Sequence, residues 1–120
     1  MNVLILGSGG REHAFAWKIS QSNLLSHLFI APGNPGTANL GMNLAVGVTD
    51  FEGIVAAIRT HHIELVIVGP EEPLVRGIRN FIESQADLQH VGIVGPGSDG
   101  AQLEGSKDFS KNFMHRYGIP

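Results

Sequence analysis

Short aliphatic runs alternate with longer amphipathic stretches along this chain, and the two periods predict its elements. Val3 to Leu6 are apolar without interruption, which suits a strand buried on both faces over Asn2–Leu6. Arg11 to Ser20 reads as a helix, with Ala14, Phe15, Trp17, Lys18 and Ile19 in a mixed amphipathic pattern. Leu28–Ala31 is a short second strand. A long loop from Pro32 to Asn43 precedes a weak third strand near Leu44–Val48. Thr49-Asp50 supplies an N-cap, after which Phe51, Ile54, Val55 and Ile58 recur at helical spacing as far as His61. Leu65–Val68 is again wholly apolar. Pro73 opens a helix whose buried stripe is Leu74, Ile78, Phe81 and Ile82. Val91–Val94 is a fifth strand that runs into Gly95-Pro96-Gly97, and a polar helical stretch occupies Ser98 to Tyr117.

Strands separated by crossovers of this length imply a three-layer α/β fold, a doubly wound parallel five-stranded sheet of Rossmann-like type. The expected strand order is 3-2-1-4-5, with the first and fourth strands adjacent at the topological switch point. Ligands bind outside the carboxyl ends of such strands. The Gly7–Arg11 and Gly69–Pro73 turns should therefore face each other across one crevice. Residues 1–100 form this domain. Residues 101–120 read as a helical linker, with Phe109, Phe113 and Met114 on one side of Ser106–Tyr117 and Gly118 in the place of a C-terminal cap before Ile119-Pro120. A chain that sounds this way is about to enter another strand, so the expectation is that the sequence continues.

Composition narrows the function classes. The 120 residues carry a formal charge of −3, and Lys and Arg are scattered, which leaves no nucleic-acid footprint. No cysteine is present, so disulfide frameworks and thiolate metal sites are excluded. No apolar run approaches the length of a bilayer span, and a cytoplasmic protein without membrane contact is expected. The 16 glycines gather where strands end, as loops that bring backbone close to a ligand require.

The first of those loops, Gly7-Ser8-Gly9-Gly10-Arg11-Glu12, joins a strand to a helix. Unpaired N–H groups at a helix start, the positive end of its dipole and an arginine fork together suit an anion. A dinucleotide fingerprint does not fit. Glu12 stands where the third glycine of G-x-G-x-x-G belongs, obstructing the close helix–strand contact, and no acid follows the second strand to hold a ribose hydroxyl. No Walker loop is present. A nicotinamide-dinucleotide module and a turn that binds nothing remain as rival readings.

Four blocks then occur in order: Gly9-Gly10-Arg11-Glu12-His13-Ala14, Gly33-Asn34-Pro35-Gly36-Thr37, Val68-Gly69-Pro70-Glu71 with Pro73-Leu74-Val75, and Leu103-Glu104-Gly105-Ser106-Lys107. Together they resemble the amino-terminal domain of the glycinamide ribonucleotide synthetase (phosphoribosylamine–glycine ligase) family, ATP-grasp ligases of purine synthesis. The resemblance implies a Rossmann-like pre-ATP-grasp domain within an enzyme that joins glycine to 5-phosphoribosylamine. ATP and Mg²⁺ would be used in lobes beyond Pro120. It implies small-molecule partners only (5-phosphoribosylamine, glycine and ATP), a monomer as full-length enzyme, and no catalytic or metal residue within these 120. The isolated piece is expected to fold without ligase activity. On this reading Gly9, Gly10 and Arg11 grip the 5′-phosphate, and Asn34, Gly36 and Thr37 close over it. Glu71 accepts from ribose hydroxyls or attracts the amine, and Lys107 reaches an ATP phosphate. A pre-ATP-grasp domain of another purine ligase or a carboxylase is the alternative within the superfamily.

Each of these residues also has a plainer reading. Glu71 or Glu72 can simply favour the helix that starts at Pro73 through its dipole, and for Glu72 that reading is preferred. Lys107 can be a solvated helix lysine, like Lys111. His61-His62 ends a helix and cannot share a metal as i,i+1 neighbours. His13 lies near the proposed phosphate but reads first as packing, and Trp17 and Phe15 read as core.

Overall fold

The computed structural model describes residues 1–95. Its elements are β1 (Asn2–Gly7), α1 (Gly10–Ser20), β2 (His27–Pro32), β3 (Met42–Asn43), α2 (Phe51–His61), β4 (Leu65–Val68), α3 (Glu72–Val75), α4 (Ile78–Glu83) and β5 (Gly92–Val94), with 3₁₀ turns at Thr37–Asn39 and Ala86–Leu88. All four strand pairings are parallel and the order is β3-β2-β1-β4-β5, as the alternation of elements requires. Leu6 pairs with Ala31 on one side and Val68 on the other, which brings the ends of β1, β2 and β4 to one edge of the sheet.

Alternate strand residues point to opposite faces, and each face has its own core. Val3, Ile5, Leu28, Ile30, Leu65 and Ile67 pack with Ala16 and Ile19 of α1. Leu4, Leu6, Phe29, Val66 and Val68 pack with Ile54, Val55 and Ile58 of α2 and Ile78 and Ile82 of α4. The crossover from β1 runs one way along the sheet and those around β4 run the other. Right-handed connections therefore place α1 on one face and α2 and α4 on the opposite one. Asp50 caps α2 by accepting the Gly53 N–H at 3.0 Å, and the Asn2 side chain donates to the His61 carbonyl at 2.9 Å where the helix ends.

Three expectations need correction. The third strand lies at Met42–Asn43, not Leu44–Val48. Leu44 still donates to Ile30 O at 2.7 Å, but Val46 N–H turns back onto Leu44 O at 2.8 Å, and the chain leaves the ladder. Leu44, Val46 and Val48 alternate because they pack on the α2-side core from a loop. The helix from Pro73 is broken into α3 and α4 by Gly77, whose φ of 95° ends one helix and starts the next. Its stripe survives the break: Ile78 and Ile82 are wholly buried, with Leu74 and Phe81 packed against them. Trp17 is 57% exposed rather than core, while Phe15 is partly buried against the α1-side cluster. The linker at 101–120, Lys107 and the Ser106–Tyr117 helix lie outside the described residues.

Candidate functional site

The carboxyl ends of β1, β2 and β4 open into a cleft of about 370 Å³ lined by Gly7, Ser8, Gly9, Glu12, Pro32, Val48 and Pro70. The β1 and β4 turns thus face one crevice at the switch point. Backbone bonds fix their spacing, with Gly33 N–H donating to Gly7 O at 3.0 Å and Gly69 N–H to Leu6 O at 2.9 Å.

Glu12 organises the floor. It is the third residue of α1, is only 7% exposed, and folds back so that Oε2 accepts the Gly9 N–H at 3.1 Å. This is the carboxylate half of a capping box, closed on a glycine cap that has no side chain to complete it. Oε1 lies over the glycines of the two strand ends. A Cβ at Gly7 or at Gly69 would run into it, and Gly7 also has a φ of 135° that only glycine adopts comfortably. Glu12 therefore fills the place of a third fingerprint glycine without lifting α1 from the sheet, where Ala16 and Ile19 remain buried.

Thr37, Asn34 and Asn43 build the loop after β2. Thr37 is 0% exposed. Its hydroxyl oxygen accepts the Asn34 N–H at 2.8 Å and lies 2.8 Å from Asn43 Oδ1 and 2.9 Å from Asn34 O, so its one proton serves either acceptor. Thr37 N–H donates to Asn34 Oδ1 at 2.9 Å, and Asn43 Nδ2 to Asn34 O at 2.8 Å. Asn34 Nδ2 reaches across to Ser8 O at 2.9 Å and latches this loop onto the β1 turn. Gly36 sits at the seam, where a Cβ would lie 3.2 Å from His13 Cε1.

The residues singled out from sequence thus divide into two groups. Gly9, Asn34 and Thr37 have their polar groups committed to Glu12, Ser8 and each other, and shape the site. Gly10 and Arg11 stand exposed at the start of α1, where a Cβ at Gly10 would meet nothing, and Gly36 lies against the His13 ring. Glu71 is exposed next to cleft-lining Pro70 and makes no capping hydrogen bond to α3. Glu72 instead pairs with Arg76 at 3.1 Å, one turn along α3. Sequence reading missed Glu12 as a member of the site, although an acid three residues after a helix cap is the signal that finds it. It also missed Asn43 and Val48, which local pattern does not mark. Among the described residues no three His, Cys, Asp or Glu side chains gather to hold a metal ion, and no helix is long and apolar enough to cross a membrane.

The chain matches the model of the family described as phosphoribosylglycinamide synthetase, N domain, over residues 1–104. It is 50% identical over 122 residues to a phosphoribosylamine–glycine ligase of Pasteurella multocida, covering 100% of this chain and 28% of that protein. It is 49% identical over 120 residues to the ligase of the same name from Rhizobium meliloti, covering 100% of this chain and 27% of that protein. A crystal structure of phosphoribosylamine–glycine ligase from Thermotoga maritima superposes with a TM-score of 0.51 at 32% identity, covering 99% of this chain and 25% of that one. The chain spans little more than a quarter of the length of the curated relatives it matches.

Proposed function

The chain belongs to the phosphoribosylglycinamide synthetase N-domain family, and on that premise we propose that it is the amino-terminal domain of a ligase joining glycine to 5-phosphoribosylamine, whose part is to hold and orient the phosphoribosylamine. The observation that carries this reading is the cleft at the β1–β4 switch point, lined by Gly7, Ser8, Gly9 and Glu12 where β1 passes into α1. Gly10 and Arg11 receive the 5′-phosphate, because a helix start and a guanidinium fork both bind phosphate oxygens. Gly9, Asn34, Gly36 and Thr37 keep the two loops at the separation that this needs. Glu71, next to the β4 end, meets the sugar or the amine.

This division assigns the domain a share in positioning rather than in proton transfer. Fixing the amine nucleophile lowers the entropic part of the barrier. On this reading metal and ATP belong to other parts of the ligase, with Lys107 proposed to approach an ATP phosphate. The chain by itself then has no ligase activity, and a turnover assay with all three substrates checks this. A cytoplasmic, monomeric enzyme acting on small molecules completes the reading.

Arg11→Ala in the complete ligase is the direct test. Loss of a charge-assisted phosphate contact is worth about 1.5–3 kcal/mol, so kcat/KM for phosphoribosylamine should fall roughly ten- to hundredfold while the KM for ATP holds. Equal losses for both substrates would place Arg11 in a domain interface instead.

A further inference from the structure

A buried carboxylate is an unexpected neighbour for an anion-binding turn. Glu12 is 7% exposed, and Oε2 is occupied by the Gly9 N–H. Oε1 lies against Gly7 and Gly69 and accepts no hydrogen bond from the described residues. Among those residues, no wholly buried polar side-chain atom lacks a partner. Oε1 therefore keeps an open approach, and that approach is the cleft Glu12 lines. A carboxylate oxygen held in such a place favours a hydrogen-bond donor from the ligand and repels an anion.

Resting on the reading that the cleft holds a phosphorylated ribosylamine, we propose that Glu12 divides it into two subsites. The floor, at Oε1, takes a ribose hydroxyl as donor. The phosphate is kept at the rim by Gly10 and Arg11, where the loop carrying Gly36 meets His13. The same side chain makes the crevice selective. Its Oε2 is bound to the N–H of Gly9, at the helix start where a dinucleotide's diphosphate would lie, and its charge opposes a second phosphate there. Glu12 is thus a specificity-determining residue for a phosphate monoester that carries free hydroxyls.

The test compares wild type with Glu12→Gln in the intact protein, with ribose 5-phosphate and inorganic phosphate as probes and the backbone amide resonances of Gly9, Gly10 and Gly36 as a local readout. The glutamine keeps the shape and an acceptor for Gly9, and an unchanged melting temperature certifies the fold. Ribose 5-phosphate should bind about tenfold more weakly to the variant, from loss of a hydrogen bond to a charged acceptor. Inorganic phosphate should bind equally well or more tightly, because a repulsion has been removed. Tighter binding of both probes would overturn the hydroxyl subsite, and unchanged binding of both would reduce Glu12 to a structural role. If neither probe moves these amides in wild type, the phosphate-site reading itself fails. Glu12→Asp, which keeps the charge but retracts the oxygens by one methylene, serves as the second variant: it should lose ribose 5-phosphate affinity and leave phosphate affinity unchanged.

Discussion

Gly69→Ala isolates the contact on which the cleft floor depends. The three atoms nearest a Cβ at this position all belong to Glu12: Oε1, Cδ at 2.5 Å and Cγ at 2.7 Å. The alanine backbone itself is unstrained, since Gly69 is not among the residues with positive φ. The Glu12 carboxyl must therefore leave its place and give up the Gly9 N–H. A hydrogen bond to a charged acceptor contributes about 1.5–3 kcal/mol, and replacing glycine by alanine returns roughly 0.4–1 kcal/mol through the unfolded chain. The net cost is about 1–2 kcal/mol, which in a domain of this size lowers Tm by roughly 5–15 °C. Thermal and urea unfolding of wild type, Gly69→Ala, Glu12→Ala and the double variant form a complete cycle. With Glu12 truncated, the three atoms nearest to that Cβ are gone, so the second substitution should cost far less. The coupling energy should exceed about 1 kcal/mol. An equal cost for Gly69→Ala on both backgrounds would refute the proposed clash and, with it, the placement of the carboxyl.

Thr37→Val should destabilise by about 1–3 kcal/mol, because it keeps the volume but leaves the Asn34 N–H and Asn43 Oδ1 without their buried partner; chemical denaturation measures it, and a neutral result would mean that the loop network is solvated. Arg59 grips Asp87 through Nε at 2.9 Å and Nη2 at 3.0 Å, and hydrogen bonding to Arg59 holds the Asp87 carboxyl below its ordinary range. A lowered folded pKa means that the ion pair stabilises fully above the unfolded aspartate range and that this is lost as pH falls through it. Asp87→Asn should therefore lower Tm slightly at neutral pH, with the difference from wild type vanishing once pH has fallen below the lowered pKa of the folded state; a gap that persists in acid would assign the effect to packing.

The legible parts of this chain were those whose signal is local. Leu65–Val68 and Val3–Leu6 have no polar interruption, so their double burial follows from composition alone, and Asp50 announces the start of α2. The alternation of Leu44, Val46 and Val48 was misleading because loop residues pressed onto a core show the same period as a strand. Gly77 was passed over because a helical stripe continues on both sides of it, and only its backbone angle reveals the break. At the cleft, the glycines of the β1 turn stood out by residue type. The commitment of Asn34 and Thr37 to Ser8, Asn43 and each other was not legible, since no spacing rule names those partners.

By itself the sequence determined the parallel sheet, its order and the switch point, because uninterrupted aliphatic runs joined by short right-handed crossovers admit few other arrangements. It also placed glycines and an arginine at the carboxyl end of β1, where the anion site is proposed. Tertiary structure alone decided the polarity of that site. Glu12 reads as an obstruction along the chain, yet the backbones of Gly7 and Gly69, brought together by the pairing of β1 with β4, leave a recess that its carboxylate fills. The physical reason is that hydrophobic period is encoded residue by residue, whereas the fate of a buried charge depends on groups that meet only once the sheet has formed.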